Sequence, residues 1–443
     1  VPCTLQVRVQ DDSDTSYHSR GKQTLKRGGM FYTAQSGIWQ SVWYEWVPEN
    51  YVKIMKITPD YDAACVRVEF DSDVNFDIIQ ITLEDKEAQY ETLEVSGNGK
   101  QEFLVKFTDG KFKSWSPEEP HLYYFTLKAD SDEISSYFAM RSFSIEKDEK
   151  GIPRFCLNHK PYFLNGLLDQ GYWPDGLMTA PCDEAFVYDI ELAKKTGFNM
   201  IRKHIKVEPE AFYYYCDKHG MLVMQDMVNN GGYNYIFDTV LPNIGLVYRK
   251  DKDKSTPRQR EIFEDYMKKT LKHLYNHPCI IAYTIFNEGW GQFNSDDMYD
   301  ICKSLDNTRF YDSTSGWFHQ LKNDVDSLHV YFKTKPLKTK MNKPIFLSEC
   351  GGYTRLIENH VFNKDASYGY GTTHSEDELM DKIEKLYKEM VYSSIPNGLC
   401  GCVYTQLSDV EDEINGLYTY DRQVCKVNKE RMLKIRKTID QLL

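Results

Sequence analysis

The sequence lacks three features that would each indicate a well-defined class of protein. It has no apolar run long enough to span a membrane, and no glycine-rich loop that follows a strand and could hold a phosphate. Its 54 basic residues are outnumbered by 66 acidic ones, and the resulting formal net charge of −12 would repel the phosphates of a nucleic acid. We therefore expect neither a membrane, nor a nucleotide, nor a nucleic acid as partner.

The cysteines also lack any spacing typical of a zinc site. There are 11 of them, an odd number, scattered along the chain. We interpret them as buried free thiols of a reducing compartment. Together with the acidic balance, this favours a cytoplasmic location, and we expect no cofactor.

The first third of the chain shows the alternating pattern of half-buried strands. Residues 5–10 (LQVRVQ) and the stretch around Trp39 and Trp43 predict strands that are too few to bury a core unaided. Residues 1–48 are therefore expected to be the tail of a larger β-domain, and the native protein to be longer or its front part not represented here. Residues 49–146 continue with short runs at sandwich spacing, which predicts an immunoglobulin-like β-sandwich.

From residue 147 to 443, apolar runs alternate with helical patterns, several of which end in glycine. This alternation is typical of a parallel sheet with crossover helices, and eight such units predict a (β/α)₈ barrel. The whole chain is thus expected to be multidomain, all-β followed by α/β. The strand-like runs are 162–168, 199–205, 221–227, 280–288, 309–315, 327–332, 344–350 and 399–407.

Two of these runs end in a carboxylate. Glu288 closes the fourth run (IIAYTIFNE) and Glu349 lies at the end of the seventh (PIFLSEC). Barrel active sites lie at the carboxyl ends of the strands, so both side chains would reach the barrel mouth. A pair of carboxyl groups there suits retaining glycoside hydrolysis, in which one acts as nucleophile and the other as acid and then base. For a single glutamate at a strand end, a salt bridge is a commoner role than catalysis. Two such acids on these two strands make catalysis the favoured interpretation.

The motifs around these acids resemble those of glycoside hydrolase family 2, which contains β-galactosidases, β-glucuronidases and β-mannosidases. FNEGWGQF (286–293) resembles the family's acid/base motif and FLSECGGY (346–353) its nucleophile motif. KPYFLNGLLDQGYWPDG (160–176) and GFNMIRKHIKVEP (197–209) resemble its first two barrel strands. QSGIWQSVW (35–43) is similar to the end of its N-terminal jelly roll, so the resemblance implies a partial jelly-roll β-sandwich over 1–48.

Carried over to this chain, the resemblance assigns roles to individual residues. It implies that Glu288 is the acid/base, that Glu349 is the nucleophile forming a covalent glycosyl-enzyme, and that Asn287 donates to the sugar 2-hydroxyl. Arg202 would keep the nucleophile ionised. Further candidates for sugar contact lie at strand ends or in the following loops: His204, Asp169, Asp226, His329, Tyr331, Trp290 and Tyr404.

Several of these candidates have an alternative role. Asp226 could orient Arg202 instead of binding a hydroxyl, and Tyr331 could donate to the nucleophile. His204 should share a face with Arg202 by strand periodicity, but it could equally be a packed core residue. For the aromatic residues Trp290 and Tyr404, core packing remains an alternative to a wall of the sugar site.

Two departures from the family's patterns bear on the substrate. Its β-glucuronidases carry an Asn-x-Lys motif that holds the sugar carboxylate, and the corresponding positions here are Glu413 and Asn415, which disfavours an anionic sugar. The second-strand histidine and the magnesium site of its large β-galactosidases are not intact, and we expect no metal. The resulting expectation is β-galactosidase-like activity on a neutral sugar, with β-glucuronidase, β-mannosidase and α-L-arabinofuranosidase as alternatives.

Other function classes stay open at this point. One is a carbohydrate-binding barrel that has lost catalysis. A metal-dependent barrel hydrolase would need paired histidines after the first strand, where LNGLLDQ has none. We expect a small glycoside or oligosaccharide as substrate, and a homo-oligomer remains open.

Overall fold

The computed structural model describes residues 4–97, 100–243, 246, 251, 255–338 and 342–443. Its N-terminal segment has little regular structure: one 3₁₀ turn (Ser13–Thr15) and two short parallel strands, β1 (Gln23–Thr24) and β2 (Tyr32–Thr33). The strands predicted for residues 5–10 and around Trp39 and Trp43 are not formed, and that prediction is wrong. Alternating residues form a strand only when a neighbouring strand pairs with them, and Trp43 is instead 69% exposed. The assignment of 1–48 to a jelly roll stays a prediction.

Two antiparallel sheets follow and share one hydrophobic core. The first has the order β3-β4-β7-β6 and the second β5-β8-β9, and side chains such as Val66, Phe107 and Phe125 fill the space between them. The arrangement agrees with the spacing of the strand-like runs, and the immunoglobulin-like assignment of 49–146 stays a prediction. The strands are β3 (Ile54–Asp60), β4 (Cys65–Asp71), β5 (Ile79–Leu83), β6 (Tyr90–Gly97), β7 (Lys100–Phe107), β8 (Tyr123–Ala129) and β9 (Asp132–Phe138), with a 3₁₀ turn at Thr108–Gly110.

A small antiparallel sheet closes the bottom of the barrel. It consists of β10 (Phe143–Lys147), β11 (Pro153–Leu157) and β12 (Lys160–Pro161), so it crosses the predicted domain boundary at 146/147. Phe143 and Phe155 pack on Phe310 with ring centroids 4.8 Å and 5.1 Å away. Phe310 is the first residue of a barrel strand, so this aromatic contact lies at an amino end, opposite the carboxyl ends where a site is expected.

The predicted barrel is confirmed as a nearly closed sheet of eight parallel strands in the order β17-β16-β15-β14-β13-β22-β19-β18. Each predicted run contributes one strand. The strands are β13 (Leu164–Asp169), β14 (Met200–Lys203), β15 (Leu222–Asp226), β16 (Ile280–Asn287), β17 (Phe310–Ser315), β18 (Asp326–Val330), β19 (Ile345–Gly351) and β22 (Leu399–Thr405), and the two-residue strands β20 (Thr354–Arg355) and β21 (Thr372–Thr373) pair outside the barrel.

Helices connect the barrel strands, and their ends follow the sequence signals. Thr256 and Gln259 form a capping box at the start of one, and Gly220 ends another in the left-handed conformation. The helices are α1 (Asp183–Lys195), α2 (Glu210–His219), α3 (Leu241–Asn243), α4 (Pro257–His273), α5 (Ser295–Leu305), α6 (Glu376–Leu386) and α7 (Lys429–Asp440), with π or 3₁₀ segments at Ile236–Val240, Tyr387–Tyr392 and Ile395–Asn397. Among the described residues, no helix has both the length and the apolar character to cross a membrane.

Side-chain hydrogen bonds bridge the one open seam of the barrel, between β17 and β18. Ser327 on β18 donates to Asp312 Oδ2 on β17 over 2.6 Å, and its hydroxyl also lies 2.6 Å from that of Ser348 on β19. The Ser315 hydroxyl lies 3.4 Å from that of Ser327. The seam is therefore held by buried polar contacts where backbone pairing is lacking.

We expect Ser327→Ala to lower the free energy of unfolding by about 1–3 kcal/mol, because the buried Asp312 carboxylate loses a donor. Urea unfolding followed by near-UV circular dichroism measures this. Ser135→Ala, at an exposed position of β9, is the matched control and should change little. Equal effects of the two substitutions would contradict a structural role for the seam.

Candidate active site

The two predicted carboxylates meet at the barrel mouth. Glu288 directly follows β16, and Glu349 lies in β19. One carboxylate oxygen of Glu288, one of Glu349 and one ring nitrogen of His329 all lie within 4.8 Å of one another. All three residues are buried.

Hydrogen-bond donors surround the carboxylate of Glu349. Arg202 Nη1 donates to its Oε1 over 3.1 Å, and the Tyr331 hydroxyl donates to its Oε2. Burial alone would raise the pKa of Glu349, but His329, Arg202 and the Tyr331 hydroxyl hold it at about 2. Burial and the adjacent Glu349 keep the pKa of Tyr331 well above its usual value, so this hydroxyl stays protonated. Glu349 is thus an ionised carboxylate at neutral pH.

Glu288 has the opposite environment. Burial raises its pKa, and His329, whose Nδ1 lies 2.8 Å from Oε1, opposes that rise only in part. The backbone of Glu288 has a φ of 53°, a left-handed conformation that costs a non-glycine residue energy and is often found at functional sites. The pKa values of the two carboxyl groups are therefore shifted in opposite directions although the groups lie side by side.

Arg202 on β14 joins the strands around this pair. Its Nε donates to Asp226 Oδ1 over 3.0 Å, its Nη2 to Asn287 Oδ1 over 2.9 Å, and its Nη1 to the Ser348 carbonyl over 2.9 Å. Burial would lower the pKa of the guanidinium, but the carboxylates of Asp226 and Glu349 raise it. Asp226 thus orients Arg202, which is the alternative considered for it from the sequence.

His204 is neutral and linked to the same network. Its Nδ1 lies 2.6 Å from Asp226 Oδ2, while burial and the charge of Lys22 lower its pKa to about 4. A neutral imidazole with Nδ1–H bonded to Asp226 leaves Nε2 as a hydrogen-bond acceptor. His204 lines the pocket above the carboxylates, where it could accept from a hydroxyl group.

The pocket wall includes most of the predicted side chains. His204, Asn287, Glu288, Trp290, Tyr331 and Glu349 line it. Trp290 makes edge contacts with the rings of Phe31 and Tyr233, at 5.6 Å and 5.4 Å between centroids. Arg202, Asp226 and His329 do not line the pocket but lie behind the residues that do.

Asp169 and Tyr404 lie apart from the pocket lining. Asp169 accepts from Lys203 and from the Gly171 backbone N–H, so its carboxylate is used in a buried ion pair beside the barrel rim. Tyr404 packs under Gly351, where an added Cβ would lie 2.3 Å from its ring. These two side chains do not face the pocket: Asp169 is used in the ion pair with Lys203, and Tyr404 packs against the backbone at Gly351.

Several residues of the wall were not among the candidates for sugar contact predicted from the sequence. Tyr370 stacks on Tyr331 with centroids 4.0 Å apart, and Lys22 and Met30 come from the N-terminal segment. Leu168, Gln170, Ile205, Tyr233 and Thr405 also line the pocket, together with Glu413, whose motif position was considered above. Lys22 and Tyr370 lie in segments that lack the alternation of strand and helix patterns typical of the barrel. No pattern in the sequence therefore indicated them.

Glu413 is fixed by a buried hydrogen-bond network. The hydroxyl of Tyr32 donates to its Oε2, and Asn415 Nδ2 donates to its Oε1 over 3.0 Å. Gln406 Nε2 in turn donates to Asn415 Oδ1 over 2.7 Å, and Gln170 Nε2 to Gln406 Oε1 over 2.9 Å. Glu413 therefore presents a held carboxylate to the pocket.

Glu288, His329 and Glu349 are also close enough to hold a metal ion. The Arg202 guanidinium, 3.1 Å from Glu349, would repel a cation, and Tyr331 occupies the other oxygen of Glu349. This donor set fits proton transfer better than metal binding.

Comparison with known proteins gives the family. Residues 150–397 match the family model "Glycosyl hydrolases family 2, TIM barrel domain". The chain belongs to glycosyl hydrolase family 2. A β-galactosidase of Lactococcus lactis is 25% identical over 289 residues, which cover 62% of this chain and 26% of that protein. A putative β-glucuronidase of Formosa agariphila is 27% identical over 245 residues, covering 54% and 21%. The chain thus matches about a quarter of the length of these two relatives.

Solved structures share the fold of this chain. The β-D-glucuronidase of Dictyoglomus thermophilum superposes with a TM-score of 0.64 at 16% identity, covering 89% of this chain and 70% of that one. A β-galacturonidase of Eisenbergiella tayi gives a TM-score of 0.59 at 17% identity, covering 89% and 73%. At these identities the likeness concerns the fold alone.

The low pKa of Glu349 makes stability depend on pH. A carboxyl that titrates near 4.5 when unfolded and near 2 when folded stabilises the fold above pH 4.5, and this contribution is lost as the pH falls from 4.5 towards 2. We expect the wild type to lose unfolding free energy more steeply than Glu349→Gln between pH 5 and pH 3. Urea unfolding of both proteins at each pH measures the slopes, and parallel slopes would contradict the assignment.

Proposed function

We propose that this chain hydrolyses β-linked glycosides with retention of configuration. The observation that supports this best is the pair of carboxyl groups whose oxygens lie within 4.8 Å and whose pKa values are shifted in opposite directions. Retaining enzymes place the two carboxyl groups about 5–5.5 Å apart, whereas inverting enzymes need about 6.5–9.5 Å to fit a water molecule. The short separation therefore favours retention.

In the first step, ionised Glu349 attacks the anomeric carbon, and Glu288 gives its proton to the departing glycosidic oxygen. The bond from carbon to that oxygen breaks, and an ester to Glu349 forms. In the second step, Glu288 takes a proton from water as the water oxygen attacks the anomeric carbon. The ester bond breaks, its electrons return to Glu349, and Glu288 is protonated again.

The remaining wall residues suit a sugar. Asn287 is held by Arg202 through its oxygen, so its amide N–H₂ is left to donate to a hydroxyl. The stacked pair of Tyr331 and Tyr370 and the indole of Trp290 offer flat surfaces beside the carboxylates. The wall thus offers hydrogen-bond partners for the hydroxyl groups of a sugar and flat surfaces for its ring faces.

Glu413 favours a neutral sugar. Each of its oxygens accepts one protein hydrogen bond and can accept another, which suits sugar hydroxyls as donors. A uronate carboxylate close to Glu413 would be repelled, because both charges would lie in a buried site. A β-galactosidase-like activity is therefore our first proposal, and β-mannosidase or α-L-arabinofuranosidase activity would fit the same wall.

One observation favours a second candidate, hydrolysis of a β-uronide. Lys22 lines the pocket, and among the residues that the structure describes its ammonium forms no direct ion pair; it lies 5.7 Å from the centroid of the Tyr32 ring. An unpaired ammonium could bind a sugar carboxylate. Lys22 is only half-buried, whereas Glu413 is fully buried and fixed, so we place the neutral sugar first.

A panel of nitrophenyl glycosides tests the activity: β-galactoside, β-glucuronide, β-mannoside, β-glucoside and α-L-arabinofuranoside. We expect turnover of the β-galactoside, reduced at least ~10³-fold in Glu349→Gln because the nucleophile is lost. Glu358→Gln, at an exposed position, is the matched control and should retain activity. Silence across the panel in folded protein would point to a binding protein, and full activity of Glu349→Gln would refute the nucleophile.

Substitutions of two wall residues, Glu413 and Lys22, distinguish the sugars. We expect Glu413→Gln to lower kcat/KM for the β-galactoside by roughly 10–100-fold, since a hydrogen bond to a charged group contributes about 1.5–3 kcal/mol. Lys22→Met should leave this value within about 3-fold, because no bond to a neutral sugar requires its charge. A fall confined to Lys22→Met and to the β-glucuronide would instead support the uronide.

A further inference from the structure

His329 was expected to contact the sugar, but the structure places it behind the two carboxylates. Its side chain is fully buried and does not line the pocket. Nδ1 lies 2.8 Å from Glu288 Oε1, and Nε2 lies 3.1 Å from Ser315 Oγ and 3.6 Å from Glu349 Oε1. The two nitrogens therefore face different groups.

Packing fixes the imidazole in this orientation. The indole of Trp317 meets it edge-on at 5.4 Å between centroids. Gly316, with a φ of 94°, lies so close that an added Cβ would be 2.8 Å from Nδ1. The ring cannot turn away from Glu288 without moving this loop.

The neighbours of the ring indicate which nitrogen carries the proton. Nδ1 carries a hydrogen both in the neutral ring that accepts from the Ser315 hydroxyl at Nε2 and in the charged ring that lowers the pKa of Glu349. Nδ1–H then donates to Glu288 Oε1. Oε2 of Glu288 is left free, and it is the oxygen that can exchange the catalytic proton with the substrate.

Among the described residues, His329 provides the one side-chain hydrogen bond to the carboxyl group of Glu288. Glu349, by contrast, has Arg202 and Tyr331. Ionised Glu288 is required only in the second step, as the base. Glu349 is then an uncharged ester, so the hydrogen bond from His329 and the charge of Lys22 are what favour the charged form of the buried Glu288.

We propose that His329 is a positioning residue for the second step, in which the glycosyl-enzyme is hydrolysed. Its Nδ1–H holds Oε1 of Glu288 and stabilises the ionised carboxylate, so that Oε2 can take the proton from the attacking water. This inference rests on the proposed retaining mechanism. It assigns His329 a larger effect on the base role of Glu288 than on its acid role.

The charged groups around His329 are Glu288 and Glu349, with Arg202 beyond Glu349 and Asp312 beyond Ser327, and Lys22 of the N-terminal segment acts on Glu288 as well. The Tyr331 ring lies 6.3 Å from the imidazole ring, and its hydroxyl stays protonated. Changes in the pH profile on substitution of His329 should therefore report mainly on Glu288.

Two substitutions separate the hydrogen bond from the packing. His329→Asn keeps an N–H donor close to the Nδ1 position, and His329→Leu has a similar size without a donor. A dinitrophenyl glycoside of the sugar that the wild type hydrolyses is the substrate, because its leaving group needs little help from an acid and the second step limits kcat.

We expect His329→Leu to lower kcat by ~10–100-fold with kcat/KM within about 3-fold, since kcat/KM reports the first step. The glycosyl-enzyme should accumulate in its mass spectrum, and the acidic limb of its kcat profile should move to higher pH. His329→Asn should recover most of kcat.

Equal losses of kcat and kcat/KM in His329→Leu, or an Asn variant as slow as the Leu variant, would overturn the inference. If His329→Leu does not fold by circular dichroism, His329→Gln replaces it, because its amide reaches the Nε2 rather than the Nδ1 position. If the wild type itself turns over no glycoside, the proposed function has failed instead, so the two failures can be told apart.

Discussion

The site depends on one buried cation, the guanidinium of Arg202. It donates to Asp226, to Asn287, to the Ser348 carbonyl and to Glu349, and thereby connects four strands of the barrel. A planar guanidinium can serve these partners at once, whereas a lysine ammonium could not match the same geometry. Without it, two buried carboxylates would lose their counter-charge, which is expensive in a protein interior. Arg202 therefore fixes the positions of both Glu349, the proposed nucleophile, and Asn287, the amide next to Glu288.

The different roles of the two carboxyl groups follow from an unequal supply of donors. Glu349 receives hydrogen bonds from Arg202 and Tyr331 and stays ionised, while Glu288 has burial and a single imidazole contact. Environments that push neighbouring pKa values apart are how one site supplies both an acid and a nucleophile at the same pH. The barrel contributes by bringing β16 and β19 to the same mouth, and its open seam is closed by buried serines close to His329.

The barrel and the pair of Glu288 and Glu349 could be predicted from the sequence. The carboxyl ends of parallel barrel strands all lie at the same mouth, so polar residues that end two apolar runs are brought together there. Other features could not be read from pattern. The alternation in residues 5–10 indicates a strand only if a partner pairs with it. Asp169 also ends a strand, but its neighbour Lys203 captures its carboxylate. Lys22 and Tyr370 reach the pocket from segments without periodicity, and only the folded chain brings them there.

The covalent intermediate is the central claim, and its attachment site tests it most directly. A 2-deoxy-2-fluoro glycoside of the accepted sugar slows the second step and traps the ester. Proteolysis and tandem mass spectrometry then locate the added mass. We expect it on Glu349, in the peptide that contains FLSECGGY. A label on another residue, or no label together with product of inverted configuration, would contradict the mechanism.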